Sequence, residues 1–272
     1  MDDVLCLRLF GALASWGTGE AGNVQRPTQR HPGRGAVLGI AAAALGLPVG
    51  DDAGHARLGG GLLVAVAAHG PRRVLFDYRT SQTGVEKGAG LEGMTRRERL
   101  AAGPGATRIT HRQSVEDGLW VAFLCAPDGG GLLGEVASAL RRPAFGTCLG
   151  RVENPVALPM DPRIVPGGLR AALDAYPAVP RPPEGARSQL HAAHDAIRSR
   201  LATDGGFDLH WDAGFPGAPE GGSSRRVADD PFRRSLRTYR EREERRAGMP
   251  APVAREAAAG AGLAAEYFDG EA

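Results

Sequence analysis

Lysine is nearly missing from this chain of 272 residues: Lys87 is the only one, so every other member of its 33 lysine and arginine residues is arginine. The excess of Gly, Ala and Arg fits a GC-rich genome. The same arginines suit phosphate gripping and base stacking, because a planar guanidinium donates bidentately. Cysteine is scarce. Cys6, Cys125 and Cys148 form no CxxC or other metal-like spacing, and an odd count argues against a disulfide framework. Cys6 and Cys125 lie in apolar, strand-like runs and read as small buried hydrophobes. No run of about 18 apolar residues occurs, so no membrane span is expected. Met1, Asp2 and Asp3 lack the basic region of a signal peptide, and the expected location is cytoplasmic. Charge of one sign is not in bulk excess, at +2 net, and aromatics are only 6%. No internal repeat of fixed period is present.

What is there is ordinary for a folded soluble protein: 42% hydrophobic and 24% charged residues. The length allows one large domain, or a domain with a small appendage. Residues 4–10 (VLCLRLF) read as a strand broken only by Arg8 and ended by Gly11. A Gly-, Pro-, Thr- and Arg-rich loop covers residues 15–35. Residues 36–47 (AVLGIAAAALGL) read as a buried helix stopped by Pro48, in which Leu38 and Gly39 are packing residues. Residues 61–68 and 74–78 are further strands. Residues 79–112 lack clean periodicity and read as a long insertion, a hairpin by its placement. A strong strand at 118–126 and an amphipathic helix at 130–142 follow. This order resembles the split β-α-β of a ferredoxin-like domain, so the expected class is α+β. After Met160 the texture turns irregular, with a proline-rich stretch at 159–183 and a loop at 216–226. Residues 233–246 are dense in Arg and Glu, including Arg233, Arg234, Arg237, Arg240, Glu241, Glu243 and Glu244, and read as a solvated helix or tail. From residue 251 the chain reads as frayed.

Chemistry-bearing patterns are few. His191 and His194 sit three apart, with His210 beyond, but the supporting context of a metal motif is missing, so no metal site is expected. A metal-independent ribonuclease would need a base and an acid near a 2′-hydroxyl. His31, His111, Tyr78 and Lys87 could serve, although nothing in their spacing joins them. Residues 129–134 lack a nucleotide-binding signature and read as the lead into a helix. The loop at 16–35 is richer. Arg26, Arg30, His31 and Arg34 fall within nine positions, opposed only by Glu20, with Thr28 and backbone amides beside them. They immediately precede a helix, whose N-terminus favours an anion. Pro27 and Pro32 stiffen the loop.

Three segments then come together as a resemblance. Residues 11–17 (GALASWG) look like a strand-then-SWG opening. Residues 26–39 (RPTQRHPGRGAVLG) are similar to an RPT-x-R-x-P-x-x-x-x-LG segment. Leu149, Gly150 and Arg151, followed by Pro155, look like a YLGR-x-x-CP segment. In this order they resemble CRISPR-associated protein family five, in particular its type I-E Cascade branch. The likeness covers residues 4 to about 160; beyond that only Pro231, Arg234 and Tyr239 echo it. Cys148 stands where the family usually has tyrosine and Asn154 where it often has cysteine.

The resemblance implies a ferredoxin-like (RNA-recognition-motif-like) core over residues 1–160, with 79–112 as a protruding β-hairpin thumb. A small irregular C-terminal region follows as an extension over 161–250, with a frayed tail at 251–272. It implies a non-catalytic subunit of the Cascade surveillance complex, without cofactor, that binds the five-prime handle of the CRISPR RNA. Its partners would be that RNA, the backbone and large subunits and, through the complex, target DNA. Related members cleave precursor RNA, which keeps an endoribonuclease as the alternative. On this reading Arg26, Thr28, Arg30, His31, Arg34, Gly150, Arg151, Arg108 and Arg112 are the expected RNA contacts, with Arg96, Arg97 and Arg99 as further candidates. Trp16 is either a core plug or a stacking platform.

Overall fold

The structure, a computed structural model, describes residues 2–18, 24–70, 73–82, 95–101, 107–129, 131–179, 206–233 and 238–250. Its architecture follows from period-two alternation inside nearly continuous apolar runs. Strand β1 (Val4–Ala14) turns Leu5, Leu7 and Leu9 to one face and Val4 and Cys6 to the other. Both faces are buried, as a run without polar alternation requires. Two short strands, β2 (Trp16–Gly17) and β4 (Thr28–Gln29), pair with each other, and β3 (Gln25–Arg26) lies between them in sequence.

Helix α1 (Arg34–Leu45) buries Val37, Leu38, Ile40 and Ala41 and ends at Gly46, whose left-handed φ of 76° suits a residue without a Cβ. A second helix, α2 (Asp52–Gly61), is capped by Asp51, whose carboxylate accepts the Gly54 N–H at 2.9 Å. The chain continues through β5 (Leu63–His69), β6 (Arg73–Gln82), the short α3 (Arg96–Ala101) and β7 (Thr107–Cys125). Then come α4 (Leu132–Arg141), β8 (Arg163–Val165), α5 (Gly168–Ala175), β9 (Phe207–Asp212), β10 (Ser223–Arg233) and β11 (Thr238–Met249).

Among the described residues these strands form one large sheet in the order β10-β11-β9-β5-β7-β1-β8. The last four, β5-β7-β1-β8, are antiparallel neighbours throughout. The helices that connect β1 to β5 and β7 to β8 pack in the same core layer, through residues such as Val37, Ile40, Val136 and Leu140. The opposite face of the sheet is covered by α5 and the β9 side chains, with Leu169, Tyr176, Leu209 and Trp211 against Val121 and Phe123. Arg8 points into that second layer. It is 1% exposed, and it donates to the carbonyls of Ala178 at 2.7 Å and Pro177 at 3.0 Å while lying over the Tyr176 ring. A buried guanidinium is tolerated because its donors are met.

Strand β7 is long because it serves two structures in succession. Its second half, from Gly118 on, is sandwiched between β1 and β5. Its first half pairs with β6 in a hairpin running from Arg73↔Glu116 to Gln82↔Thr107. The expected insertion at 79–112 is therefore entered earlier, by a ladder that starts at Arg73. Residues 83–94 and 102–106 lie outside the described residues, as do Lys87 and the expected frayed tail at 251–272.

Three expectations need correction. The four-strand unit does not close at residue 160, because β8 pairs with β1 through Val165, Ile164 and Arg163. The region beyond it is not irregular throughout, because β9 joins β5 and extends the sheet. The Arg- and Glu-rich segment is neither helix nor tail: β10 and β11 form an antiparallel pair, and Arg225↔Glu244 and Arg226↔Glu243 match opposite charges across strands. Dense alternating charge supports a helix face or a strand pair equally well, and only the partner strand decides. No helix among the described residues is long and apolar enough to cross a membrane.

Candidate nucleic-acid interface

The hairpin base is where distant segments meet. Ser15, just after β1, donates its N–H to Leu149 O at 2.9 Å, and its hydroxyl lies 3.0 Å from that of Ser114. Asn154, 2% exposed, donates from Nδ2 to Ser15 Oγ at 3.1 Å. Leu149 donates its N–H to Asn154 O at 2.8 Å, which closes the turn 149–154. Gly150 sits inside this turn at φ 87°, and a Cβ there would stand 1.9 Å from Ser15 O. Only glycine lets the two backbones approach so closely.

The loop between β1 and α1 is tied to the same place. Trp16 donates its N–H to Thr28 Oγ1 at 2.8 Å, and the Thr28 hydroxyl donates to Gln29 O at 2.9 Å. The Thr28 N–H reaches Gln113 Oε1 on β7 at 3.2 Å, and Trp120 Nε1–H donates to Arg30 O at 2.9 Å. Strand β3 lies parallel to β7, placing Arg26 opposite Arg112. Thr28 thus spends its hydroxyl on positioning the loop. Trp16 takes the core alternative: it is 1% exposed and meets Trp120 edge-on at 5.1 Å.

This convergence assembles an arginine cluster. Glu153 Oε1 is approached by Arg79 Nη2 at 3.2 Å, Arg112 Nη1 at 3.4 Å and Arg151 Nη1 at 3.8 Å. Burial, then the neighbouring Arg112, pulls the Arg151 pKa below its ordinary value, with Arg79 and Arg26 adding to the effect. Three guanidiniums approach Glu153, Arg79 also pairs with Asp77, and Arg26 stands opposite Arg112. The cluster is undercompensated, and an incoming phosphate would relieve the mutual repulsion. Arg79 and Glu153 were not singled out in the sequence; the cross-strand register Arg79↔Thr110, beside Asp77↔Arg112, is what brings them in.

The rest of the expected contacts are placed differently. Arg30 and Arg108 are exposed, and Arg108 lies farther out on the hairpin, opposite Ser81. Arg96 and Arg97 are exposed on α3, whereas the Arg99 side chain is outside the described residues. Arg34 and His31 are buried instead of facing solvent. The Arg34 guanidinium engages Asp212, the Gly59 carbonyl and, at 3.2 Å, Asp230. The α1 N-terminus, expected to favour a phosphate, already has its anion: Asp229 Oδ2 accepts the Arg34 N–H at 3.2 Å.

Asp229 belongs to a buried ionic network under β10 and β11. Arg242 holds it at 2.6 and 2.9 Å and also reaches Asp212 at 2.8 Å and Glu244 at 3.0 Å. Burial works against the Arg242 charge, but Asp229, Asp212 and Glu244 outweigh it and raise its pKa. Burial pushes the Asp212 carboxyl up, against the pull of Arg34 and Arg242. His31 joins the edge of this network, its ring stacked on His210 at 3.6 Å. The histidine pair His191 and His194 lies outside the described residues.

Of the nuclease candidates, Tyr78 and His111 are neighbours across the hairpin, with ring centroids 5.5 Å apart. His31 is in the buried network, away from both.

The geometry can be set beside known proteins. A family model described as CRISPR-associated protein (Cas_Cas5) matches residues 4–246. The chain is 29% identical over 161 residues to the CRISPR system Cascade subunit CasD of Escherichia coli (strain K12), covering 59% of this chain and 70% of that protein. A chain of a solved CRISPR RNA-guided surveillance complex superposes with a TM-score of 0.62 at 22% identity, covering 92% of this chain and 91% of that one. A crystal structure of a Cas protein superposes with a TM-score of 0.59 at 23% identity, over 91% of this chain and 95% of the other. The two superpositions establish the fold: a mixed α/β chain built on a large antiparallel sheet.

Proposed function

This chain belongs to the CRISPR-associated protein family whose model spans residues 4–246, and from that membership we propose that it is a non-catalytic, RNA-holding subunit of a Cascade complex. It grips the five-prime handle of the CRISPR RNA and contacts the backbone and large subunits. Target DNA is met through the assembled complex. The strand order β5-β7-β1-β8 with two helices on one face reads as the ferredoxin-like core, and the β6–β7 hairpin as the thumb.

The observation that carries this reading is the convergence of the 11–17, 26–39 and 149–155 segments on one arginine cluster. Arg26, Arg79, Arg112 and Arg151 project around a single turn, and single-stranded RNA is held by such phosphate contacts together with base stacking. Phe76 and Tyr78 add exposed aromatic surface on β6. The relative from Escherichia coli is itself named as a Cascade subunit, which fits an assembly role.

A second reading, a metal-independent endoribonuclease, has one observation in its favour: Tyr78 and His111 stand together on the hairpin. One experiment separates the two. Purified protein is mixed with labelled repeat RNA in EDTA and run on native and denaturing gels in parallel. A shifted, uncut RNA supports the holding subunit. A discrete cut that disappears in Tyr78→Phe and His111→Ala makes the chain a processing enzyme. No shift at all removes the RNA role.

A further inference from the structure

Beside the buried ionic network, three donors from separate elements face one another. His31 comes from the loop before α1, His210 from β9 and Glu244 from β11, and all three are buried. Their nitrogen and oxygen atoms lie within 4.8 Å of one another. His210 Nδ1 is 3.5 Å and His31 Nε2 is 3.9 Å from Glu244 Oε2. Donors on a tetrahedral zinc ion, each at about 2.1 Å, stand roughly 3.4 Å apart. Little travel is therefore needed, beyond one imidazole turning out of its 13° stack on the other.

Two further observations point to a ligand. His210 is 7% exposed, and its Nδ1 has no aligned hydrogen-bond partner among the described residues. A buried ring nitrogen in that state is an available metal donor. A cavity of about 10 Å³, room for one water-sized species, adjoins the cluster and is lined by His210 and Glu244 with Asp212 and Arg242, though not by His31.

A cation already occupies the focus of the cluster. Arg225 Nη2 stands 2.6 Å from Glu244 Oε2 and 3.5 Å from His31 Nε2. Its Nε also donates to Glu244 Oε2 at 2.8 Å, but its side chain is 47% exposed, so water can take up the guanidinium when an ion displaces it. With Arg225 withdrawn, the carboxylates of Asp212, Asp229, Asp230 and Glu244 face the guanidiniums of Arg34 and Arg242. Carboxylates then outnumber the guanidiniums at contact distance, which favours a cation in the vacated place.

We propose that His31 Nε2, His210 Nδ1 and Glu244 Oε2 form a site for a divalent transition-metal ion of the zinc class, with Arg225 holding the place in the metal-free chain. Two imidazoles and one carboxylate are the donor set that zinc takes, with water in the fourth position. The ion would staple the 24–33 loop to β9 and β11. That loop carries Arg26 to the hairpin base, so the staple would stiffen the arginine cluster without touching RNA.

The test uses the full-length chain, stripped with EDTA and dialysed, and titrated with zinc chloride by calorimetry while thermal unfolding is followed. One equivalent is expected to bind and to raise the unfolding temperature, because the ion binds the folded state alone. His210→Gln and His31→Gln should each lose that equivalent. Arg225→Ala should bind zinc more tightly than the parent chain, since the competing cation is gone. The absence of saturable one-equivalent binding overturns the site. So does binding that survives in both histidine variants but disappears in a His191→Ala/His194→Ala chain. If the glutamine variants do not fold, Arg225→Ala decides: affinity unchanged or weakened overturns the proposal.

Discussion

Glu153 is the residue on which the arginine cluster turns, since Arg79, Arg112 and Arg151 all approach the same carboxylate oxygen. Replacing it with glutamine removes the internal competitor for phosphate. Glu153→Gln is expected to bind repeat RNA several-fold more tightly at low salt, measured by fluorescence anisotropy, with the gain shrinking as salt screens the charges. Gly150 makes the opposite kind of prediction. A Cβ at φ 87° would meet Ser15 O at 1.9 Å, so Gly150→Ala is expected to cost at least about 1–3 kcal/mol of stability. Urea unfolding checks this, and RNA binding should fall with it, because the displaced turn carries Arg151. The sequence marked Gly150 and Arg151 as a pair and noted Asn154 as a departure. What it did not carry was the reason: Asn154 is a buried hydrogen-bond donor to Ser15, a partner 139 positions away.

At the scale of elements, apolar strands and helices were legible and charged strands were not. The runs at 4–10, 118–126 and 130–142 each fall within or across β1, β7 and α4, because burial on a regular face imposes a period that the sequence must carry. Strands β10 and β11 carry charge instead of an apolar face, and their pairing is written in opposite residues on two segments. The ionic network beneath them follows the same logic. Asp212 answers both Arg34 and Arg242, and it accepts the Val64 N–H at 2.8 Å. Removing its charge leaves two buried guanidiniums short of a partner. Asp212→Asn is expected to destabilise the chain by about 3–5 kcal/mol, read from the urea midpoint, far more than an exposed ion pair such as Arg57–Glu135 would contribute.

At the scale of the whole molecule, net charge hides the proposed interface. The total is only +2, yet Asp212, Asp229, Asp230 and Glu244 gather in the network under β10 and β11 while the hairpin base keeps an arginine excess. Such a surface binds polyanions through counterion release. For single-stranded RNA the logarithm of affinity falls with the logarithm of salt by about 0.7 per phosphate neutralised, so four arginines imply a slope of roughly −3. The Arg26→Gln/Arg79→Gln/Arg112→Gln/Arg151→Gln chain should lose most of that slope in the same titration, with its far-ultraviolet spectrum unchanged. A slope that stays near its parent value would place the RNA elsewhere on the molecule.

By itself the sequence determined the buried strands, the helices between them and the three segments that carry the family likeness, since each is a local pattern imposed by burial or by a backbone turn. Tertiary structure alone decided which arginines are available. Arg26 and Arg34 are eight positions apart in one basic loop, yet one is exposed beside Arg112 while the other is 7% exposed against Asp212 and Asp230. Their fates diverge because a desolvated guanidinium needs its donors met, and at Arg34 the Asp212 and Asp230 carboxylates do so together with the Gly59 carbonyl. Those carboxylates arrive from strands some two hundred residues farther along the chain.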